Sequence, residues 1–151
     1  MPATLSFSGD ESFDAPADRV YGLLTDAARM IEFMPDVASH EVIDAKTLRC
    51  VVRPGFSFLR GTMKMVIHID ELAAGREAKM TVDSEGIGVA MRIESTMLVE
   101  PVGERSRMRW SAEVTNMKGL VATLSPGLIK AAAEQVIRGT WDRVRARLAE
   151  G

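Results

Sequence analysis

Polar and apolar residues alternate through most of the middle of the chain. A period of two predicts β-strands with one buried and one solvated face. Segments containing glycine, proline or aspartate interrupt the alternation and predict turns. The pattern therefore predicts an antiparallel meander whose strands cover residues 40–43, 47–53, 61–72, 78–83, 91–100 and 107–114.

The amino-terminal part predicts one further strand and two short helices. Residues 3–13 alternate, and Gly9 within them predicts either a β-bulge or a close backbone approach. Pro16 suits the first turn of a helix, because its missing N–H has no helical partner there. Asp26 is a capping residue for a second helix carrying Met30, Ile31, Phe33 and Met34, which Pro35 ends.

The carboxy-terminal part predicts one long amphipathic helix over about residues 119–149. Ser125 and Pro126 interrupt it, so that Ser125 caps a new start or the helix kinks. From Pro126 to Ala149 the helix is roughly 36 Å long, enough to cross a curved sheet. Its apolar residues recur at three- and four-residue spacing and are Leu120, Leu124, Leu128, Ile129, Val136, Ile137, Trp141, Val144 and Leu148.

Together these elements predict an α+β fold in a single domain over residues 1–151. An antiparallel sheet of about seven strands wraps on the long helix, and two short helices follow the first strand. At this length the chain is able to bury a substantial core.

The apolar face of the predicted sheet is rich in methionine. Flexible, polarizable methionines either fill irregular gaps in a core or line a cavity that holds an apolar ligand, and both interpretations stay open. A buried Trp110 needs an acceptor for its indole N–H. Phe56 and Phe58 form either an entrance lid or a hydrophobic plug. The candidate ligand-binding residues are Met63, Met65, Ile67, Met80, Val82, Met91, Ile93, Met97, Met108, Trp110, Phe56 and Phe58.

Charge and cysteine content narrow the function. A formal net charge of -2 argues against a general nucleic-acid footprint. The single cysteine, Cys50, favours a buried thiol in a reducing compartment. Since no signal peptide and no apolar run of membrane-spanning length are evident, we expect a cytoplasmic protein without stable membrane insertion.

The sequence offers little catalytic or metal-binding chemistry. His40 and His68 lie on separate strands without ligand spacing, so we expect no metal, no cofactor and no catalytic residue. Glu11 shares the strand phase of Phe7 and Phe13, and an inward carboxylate is an acid–base candidate. We favour instead a bulge at Gly9 that turns Glu11 into solvent.

Two further patterns have simple interpretations. Gly86-Ile87-Gly88 lacks the third glycine and the following helix of a dinucleotide fingerprint. The basic residues of the last helix form either a solvated face, which we favour, or a membrane-surface face. They are Lys130, Arg138, Arg143, Arg145 and Arg147.

Several motifs carry a resemblance to a known superfamily. They are Phe7-Ser8-Gly9, the segment 15–26 (APADRVYGLLTD), Phe33-Met34-Pro35, Gly61, Met108-Arg109-Trp110 and Gly119-Leu120. With this order of elements, the chain resembles the SRPBCC superfamily, the helix-grip fold of START lipid-transfer domains, Bet v 1-like proteins and polyketide cyclases. It is most similar to the CoxG family, which is named for carbon monoxide dehydrogenase. The chain departs from the CoxG pattern in having Pro35-Asp36-Val37 in place of Pro-Gly-Cys. Val20-Tyr21 and Phe33-Met34-Pro35 also resemble the coenzyme Q-binding branch of the same superfamily, so both branches stay open.

The resemblance implies a cavity between sheet and helix that binds a hydrophobic small molecule or lipid. It also implies an accessory role beside a molybdenum hydroxylase-type dehydrogenase. One alternative is a polyketide cyclase-like enzyme, which the scarcity of inward polar residues (Ser84, Ser95, Trp110 and Glu11) disfavours. The other alternative is a protein-interaction module with a filled core.

Overall fold

The computed structural model of the protein describes residues 5–34, 37–53, 61–86, 88–119 and 125–149. Within them the order of elements is the predicted one, with two short helices after the first strand and a long helix at the end. The elements are β1 (Leu5–Phe13), α1 (Ala17–Thr25), α2 (Ala27–Met30), β2 (Val37–Asp44), β3 (Thr47–Val52), β4 (Met63–Ala73), β5 (Glu77–Gly86), β6 (Val89–Val102), β7 (Arg105–Gly119) and α3 (Pro126–Ala149).

All seven strands belong to one antiparallel sheet in the order β1-β7-β6-β5-β4-β3-β2. Strands β2 to β7 follow one another as a meander, which confirms the predicted architecture. Strand β1 pairs with β7, so that the first and last strands are neighbours and β1 forms one edge of the sheet. Helix α3 packs closest to this edge strand.

Several element boundaries differ from the predicted ones. Helix α2 is a single turn that ends at Met30, and Pro35 lies outside the described residues. Strand β5 continues to Gly86, and Pro101 lies within β6. The predicted helix start near residue 119 is wrong, because Gly119 still pairs with Val89 at the end of β7.

Helix α3 begins instead at Pro126. The Ser125 hydroxyl accepts a hydrogen bond from the Leu128 N–H at 3.3 Å, so the capped new start is the correct alternative. Leu120 and Leu124 lie outside the described residues. Leu128, predicted to belong to the apolar stripe, is 46% exposed.

The core lies between the inner face of the sheet and the helices. Its largest fully buried side chains include Phe13, Leu23, Leu48, Ile69, Met108, Val99 and Val144. Cys50 is buried among them, as predicted, and burial raises the pKa of its thiol. Apolar alternation along the strands therefore translates directly into one covered face.

Arginines fix the carboxy-terminal turns of α3. Arg19 of α1 donates to the Leu148 carbonyl oxygen at 2.6 Å. The guanidinium of Arg147 contacts both carboxylate oxygens of Glu32, each at 3.1 Å. Hydrogen bonding from Arg147 holds the pKa of Glu32 below its ordinary value. The end of the helix is thus tied to both short-helix segments.

Candidate functional site

A cleft of about 400 Å³ lies between the edge strand β1 and helix α3, and we name it the β1–α3 cleft. Strand β1 and helix α3 line most of the cleft, and β7, which pairs with β1, contributes Trp110. The lining residues are Ser6, Phe7, Ser8, Glu11, Trp110, Lys130, Glu134, Ile137, Arg138, Trp141 and Arg145. The cleft thus has an apolar floor and a charged rim.

Two tryptophans form the floor. The Trp110 and Trp141 ring centroids are 5.9 Å apart and their planes are inclined at 50°. The ring of Phe13 meets Trp141 edge-on at a centroid distance of 6.4 Å. Tilted and edge-on pairs are favourable arrangements of aromatic rings. The floor is therefore a packed aromatic cluster shared by β1, β7 and α3.

Gly9 creates the space for Trp110. The two residues are cross-strand partners, and a Cβ atom on Gly9 would lie 3.1 Å from the Trp110 Nε1. The register from Leu5↔Val114 to Phe13↔Ser106 has no shift at Gly9. The close-approach alternative is correct, and the bulge is absent from this strand pair.

Glu11 therefore remains on the face that points to α3, and the prediction that a bulge turns it into solvent is wrong. Its Oε1 lies 2.6 Å from Arg145 Nη2, and its side chain is 22% exposed. The Arg145 guanidinium also lies 5.3 Å above the centre of the Phe13 ring. This ion pair joins β1 to α3 across one end of the cleft.

Both indole N–H groups lack an acceptor among the residues that the structure describes. The Nε1 atoms of Trp110 and Trp141 are shielded from solvent, and no hydrogen-bond partner faces them in the part of the chain described. The predicted need of Trp110 for an acceptor is thus not met within these residues. A buried unsatisfied donor costs about 1–3 kcal/mol, so the cleft floor holds two donors suited to an external acceptor.

The rim of the cleft is formed by charged side chains one helical turn apart. Lys130, Glu134 and Arg138 are exposed along α3. Among the described residues, no carboxylate lies within 4.0 Å of the Lys130 ammonium or the Arg138 guanidinium. The Glu11–Arg145 pair lies at the same cleft. Within the described ranges, the rim thus carries two cations that are not engaged in ion pairs.

The structure divides the predicted ligand-binding residues into four groups. Met63, Ile67, Val82 and Met108 are fully buried in the core, whereas Met65, Met80, Met91, Ile93 and Met97 are only partly buried on the same face. Trp110 lines the β1–α3 cleft. Phe56 and Phe58 lie outside the described residues. Ligand contact by this set stays a prediction.

Sequence reasoning misses the residues that β1 and α3 contribute to the cleft. The sequence pattern marks Phe7, Ile137 and Trp141 only as apolar positions, and Arg145 only as part of a basic face. The signal available is that Trp141 is the one aromatic residue on the helical stripe. A lone aromatic on such a stripe indicates a contact with the sheet, but not which strand it meets.

A larger concavity of about 830 Å³ lies over β3 to β7. Side chains from the solvent-facing phase line most of it, including Arg49, Lys64, Asp83, Glu85 and Arg92. Cross-strand charge pairs such as Arg92–Asp83, at 3.7 Å, run along this surface. Met91, one of the predicted ligand-binding residues, also lines this concavity, together with Val51 and Val66.

The histidines lie away from the cleft. His68 contacts Thr47 Oγ1 at 3.0 Å and Asp70 at 3.1 Å, and His40 is exposed on β2. In residues 5–34, 37–53, 61–86, 88–119 and 125–149, no group of three or more potential ligands is placed to hold a metal ion. In the same ranges, no helix has the length and apolar character needed to cross a membrane.

Comparison with solved structures shows the fold. A conserved protein from Geobacillus kaustophilus is 16% identical, with a TM-score of 0.88 over 97% of this chain and 96% of that one. A START superfamily protein from Mycobacterium smegmatis is 12% identical, with a TM-score of 0.75 over 96% and 97%. A Thalictrum norcoclaurine synthase, solved with a transition-state analogue, is 15% identical, with a TM-score of 0.65 over 99% and 97%.

These likenesses establish the helix-grip fold of the START and Bet v 1-like (SRPBCC) superfamily. No curated protein sequence matches the chain. The match to a family model is more specific, because it covers residues 9–149 and so includes β1, the sheet and α3. The family is CoxG, described as a subunit of carbon monoxide dehydrogenase, and the chain belongs to it.

Proposed function

We propose that this CoxG-family protein binds a hydrophobic small molecule or lipid between the sheet and α3, and that the β1–α3 cleft is where the ligand enters and is held. The observation that carries the proposal is the pair of indole N–H groups, on Trp110 and Trp141, without acceptors among the described residues. The volume of about 400 Å³ supports it, because small-molecule pockets span about 300–1,000 Å³.

An oxygen atom of the ligand reaches the two indole N–H groups only if the rings move, because their Nε1 atoms are shielded. Without a ligand, these two donors have no acceptor among the described residues, which is unfavourable. A ligand with a carbonyl, carboxylate or hydroxyl oxygen supplies the missing acceptor. Hydrogen bonds gained on opening therefore offset part of the lost ring–ring contact.

The partly buried methionines on the inner face of the sheet can accommodate the apolar part of the ligand. Met80 and Met97 lie on the inner face of the central strands β5 and β6, and both are less buried than Met108 on β7. Methionine adapts its shape with little penalty. In this proposal, the predicted set from Met63 to Trp110 forms the deeper wall once an apolar chain enters.

The family description supports a finer proposal about partners. CoxG is named as a subunit of carbon monoxide dehydrogenase, so we assign the chain an accessory role beside a molybdenum-containing dehydrogenase. A cytoplasmic location, favoured by the buried free thiol of Cys50, belongs to the same proposal. Co-purification of the dehydrogenase with a tagged chain tests the partner directly.

Binding itself can be measured without a label. The chain has two tryptophans, and both lie on the cleft floor, so tryptophan fluorescence, excited selectively over that of Tyr21, reports on this site. We expect a saturable change in emission on titration with lipids and apolar aromatic compounds. Native mass spectrometry and solvent extraction of the purified protein should then show a bound molecule. An unchanged emission across the panel, with no extracted ligand, would contradict the proposal and favour the filled interaction module.

The enzymatic alternative has less support. Of the predicted inward polar groups, Ser95 donates to the Met80 carbonyl oxygen at 3.4 Å, and Glu11 is paired with Arg145. Neither group is left free to move a substrate proton in the closed cleft. Substrate turnover that is abolished by Glu11→Gln in a folded protein would reinstate the alternative.

A further inference from the structure

We infer that the ligand of the β1–α3 cleft is a monoanionic amphiphile, with a carboxylate-type head group at Lys130 and Arg138 and an apolar body on Trp110 and Trp141. The inference rests on the proposed function, and it adds the chemical class of the ligand.

The charges of the cleft lining support one negative charge on the ligand. Glu11 and Arg145 neutralise each other at 2.6 Å. Of the remaining charged side chains, Lys130 and Arg138 are positive and Glu134 is negative, so one positive charge has no counterpart in the lining. A monoanion makes the occupied cleft neutral, whereas a dianion or a cation leaves a net charge beside an apolar floor.

The hydrogen-bonding character of the lining supports an acceptor. Lys130 and Arg138 can only donate. Of the two carboxylates in the lining, Glu11 is paired with Arg145, which leaves Glu134 as the acceptor-only group beside these two donors. A carboxylate accepts at several lone-pair positions and forms charge-assisted hydrogen bonds, so it fits this excess of donors better than an alcohol or an amine.

The placement of the cations supports recognition at the mouth of the cleft. Residues 130, 134 and 138 follow one another by four, which puts them on one side of α3 at intervals of about 6 Å along the axis. The side chains of Lys130 and Arg138 are exposed, whereas the indole Nε1 atoms are shielded. A charged head group thus remains near water while the apolar body is buried.

The test compares ligands with the same twelve-carbon chain by tryptophan fluorescence, at low ionic strength and below their micelle concentrations. We expect dodecanoate to bind about fivefold or more tightly than 1-dodecanol, and dodecylammonium to bind weakest. Added salt should weaken dodecanoate binding and leave 1-dodecanol binding unchanged.

Variants assign the head group to its site. Arg138→Gln and Lys130→Gln should each weaken dodecanoate binding about three- to fivefold without affecting 1-dodecanol, and Arg138→Lys should restore most of the loss. Arg143→Gln is the matched control, because Arg143 is an exposed arginine of α3 that does not line the cleft. Near-ultraviolet circular dichroism of the two tryptophans checks that each variant is folded.

The outcomes separate the two proposals. Equal affinity for dodecanoate and 1-dodecanol, unchanged by Arg138→Gln, overturns the anionic class and leaves hydrophobic binding standing. Tightest binding of dodecylammonium overturns it as well. If the protein binds none of the three ligands, the proposed function itself is contradicted.

Discussion

Gly9 and Trp110 are cross-strand partners, and the indole ring of Trp110 occupies the space that a side chain at residue 9 would need. A Cβ atom at residue 9 would lie 3.1 Å from Nε1 and 3.2 Å from Cε2 and Cζ2 of that ring. An aromatic ring laid over a glycine restores the packing that a strand glycine otherwise lacks. The cleft floor therefore depends on a residue that has no side chain.

Replacing Gly9 by valine should displace the Trp110 ring. The branched side chain favours the strand, but its methyl groups enter the space of the indole, so we expect a net loss of about 1–3 kcal/mol in unfolding free energy. Near-ultraviolet circular dichroism should change as the ring moves. Gly22→Ala is the control, because nothing lies within 4 Å of its Cβ position in α1, and it should stabilise by about 0.5–1 kcal/mol. An unaltered tryptophan signal in Gly9→Val would contradict the packing described.

The Glu11–Arg145 ion pair should show measurable coupling in a double-mutant cycle. With Glu11→Gln and Arg145→Gln we expect a coupling free energy of about 1 kcal/mol, because the carboxylate is largely shielded. The Asp10–Arg107 pair is a matched comparison on the solvent-facing phase of β1 and β7, with a contact of 2.8 Å. Its coupling should be smaller and more sensitive to salt. Equal coupling in the two cycles would argue against any role of the cleft in strengthening the first pair.

The Glu32–Arg147 contact should make stability depend on pH in the acid range. Since the folded pKa of Glu32 lies below its ordinary value of 4.5, the folded chain holds the carboxylate proton more weakly than the unfolded chain. The stabilisation is therefore complete above the unfolded pKa and is lost as pH falls through the folded pKa. The unfolding free energies of wild type and Glu32→Gln should differ at about pH 7 and converge as the pH falls through the folded pKa of Glu32. A difference that persists at the lower pH would show that hydrogen-bond geometry, not charge, matters there.

Two glycines with positive φ should respond very differently to alanine. At Gly119 (φ 78°) an added Cβ overlaps the Gly88 carbonyl oxygen, whereas at Gly103 (φ 63°) nothing lies within 4 Å. Gly103→Ala should cost about 1 kcal/mol for the left-handed backbone alone, and Gly119→Ala about 3 kcal/mol or more, because backbone must shift as well. Thermal unfolding distinguishes them, and equal losses would contradict the close approach of β7 to the β5–β6 turn.

The sheet can be predicted from the sequence because alternation is a local signal. Residues 63, 65, 67 and 69 share one face whatever strand lies beside them, and short turns bring successive strands together. The start of α3 is less predictable. Leu120 and Leu124 continue the helical spacing, and only the conformation of Gly119 and the cap at Ser125 show that the helix begins later.

The candidate site is harder to predict because it depends on a non-local pairing. The alternation identifies Trp110 as inward-facing, but its contacts with Gly9 and Trp141 arise only when β1 joins β7 and α3 crosses that edge. The methionines stand out in the sequence because they repeat along it. Trp141 and Arg145 meet β1 through the helix rotation, which spacing alone does not fix to a particular strand.

The pairing of β1 with β7 also has a consequence for how the molecule is assembled. Strands β2 to β7 form by successive hairpins, whereas Leu5 finds its partner Val114 only after most of the chain has been synthesised. Contacts between distant parts of a chain close a long loop and form slowly. The β1–α3 cleft should accordingly be the last region to acquire protection during refolding. If amides of β1 and β7 are also the first to exchange in the native state, the binding site coincides with the weakest cooperative unit of the fold.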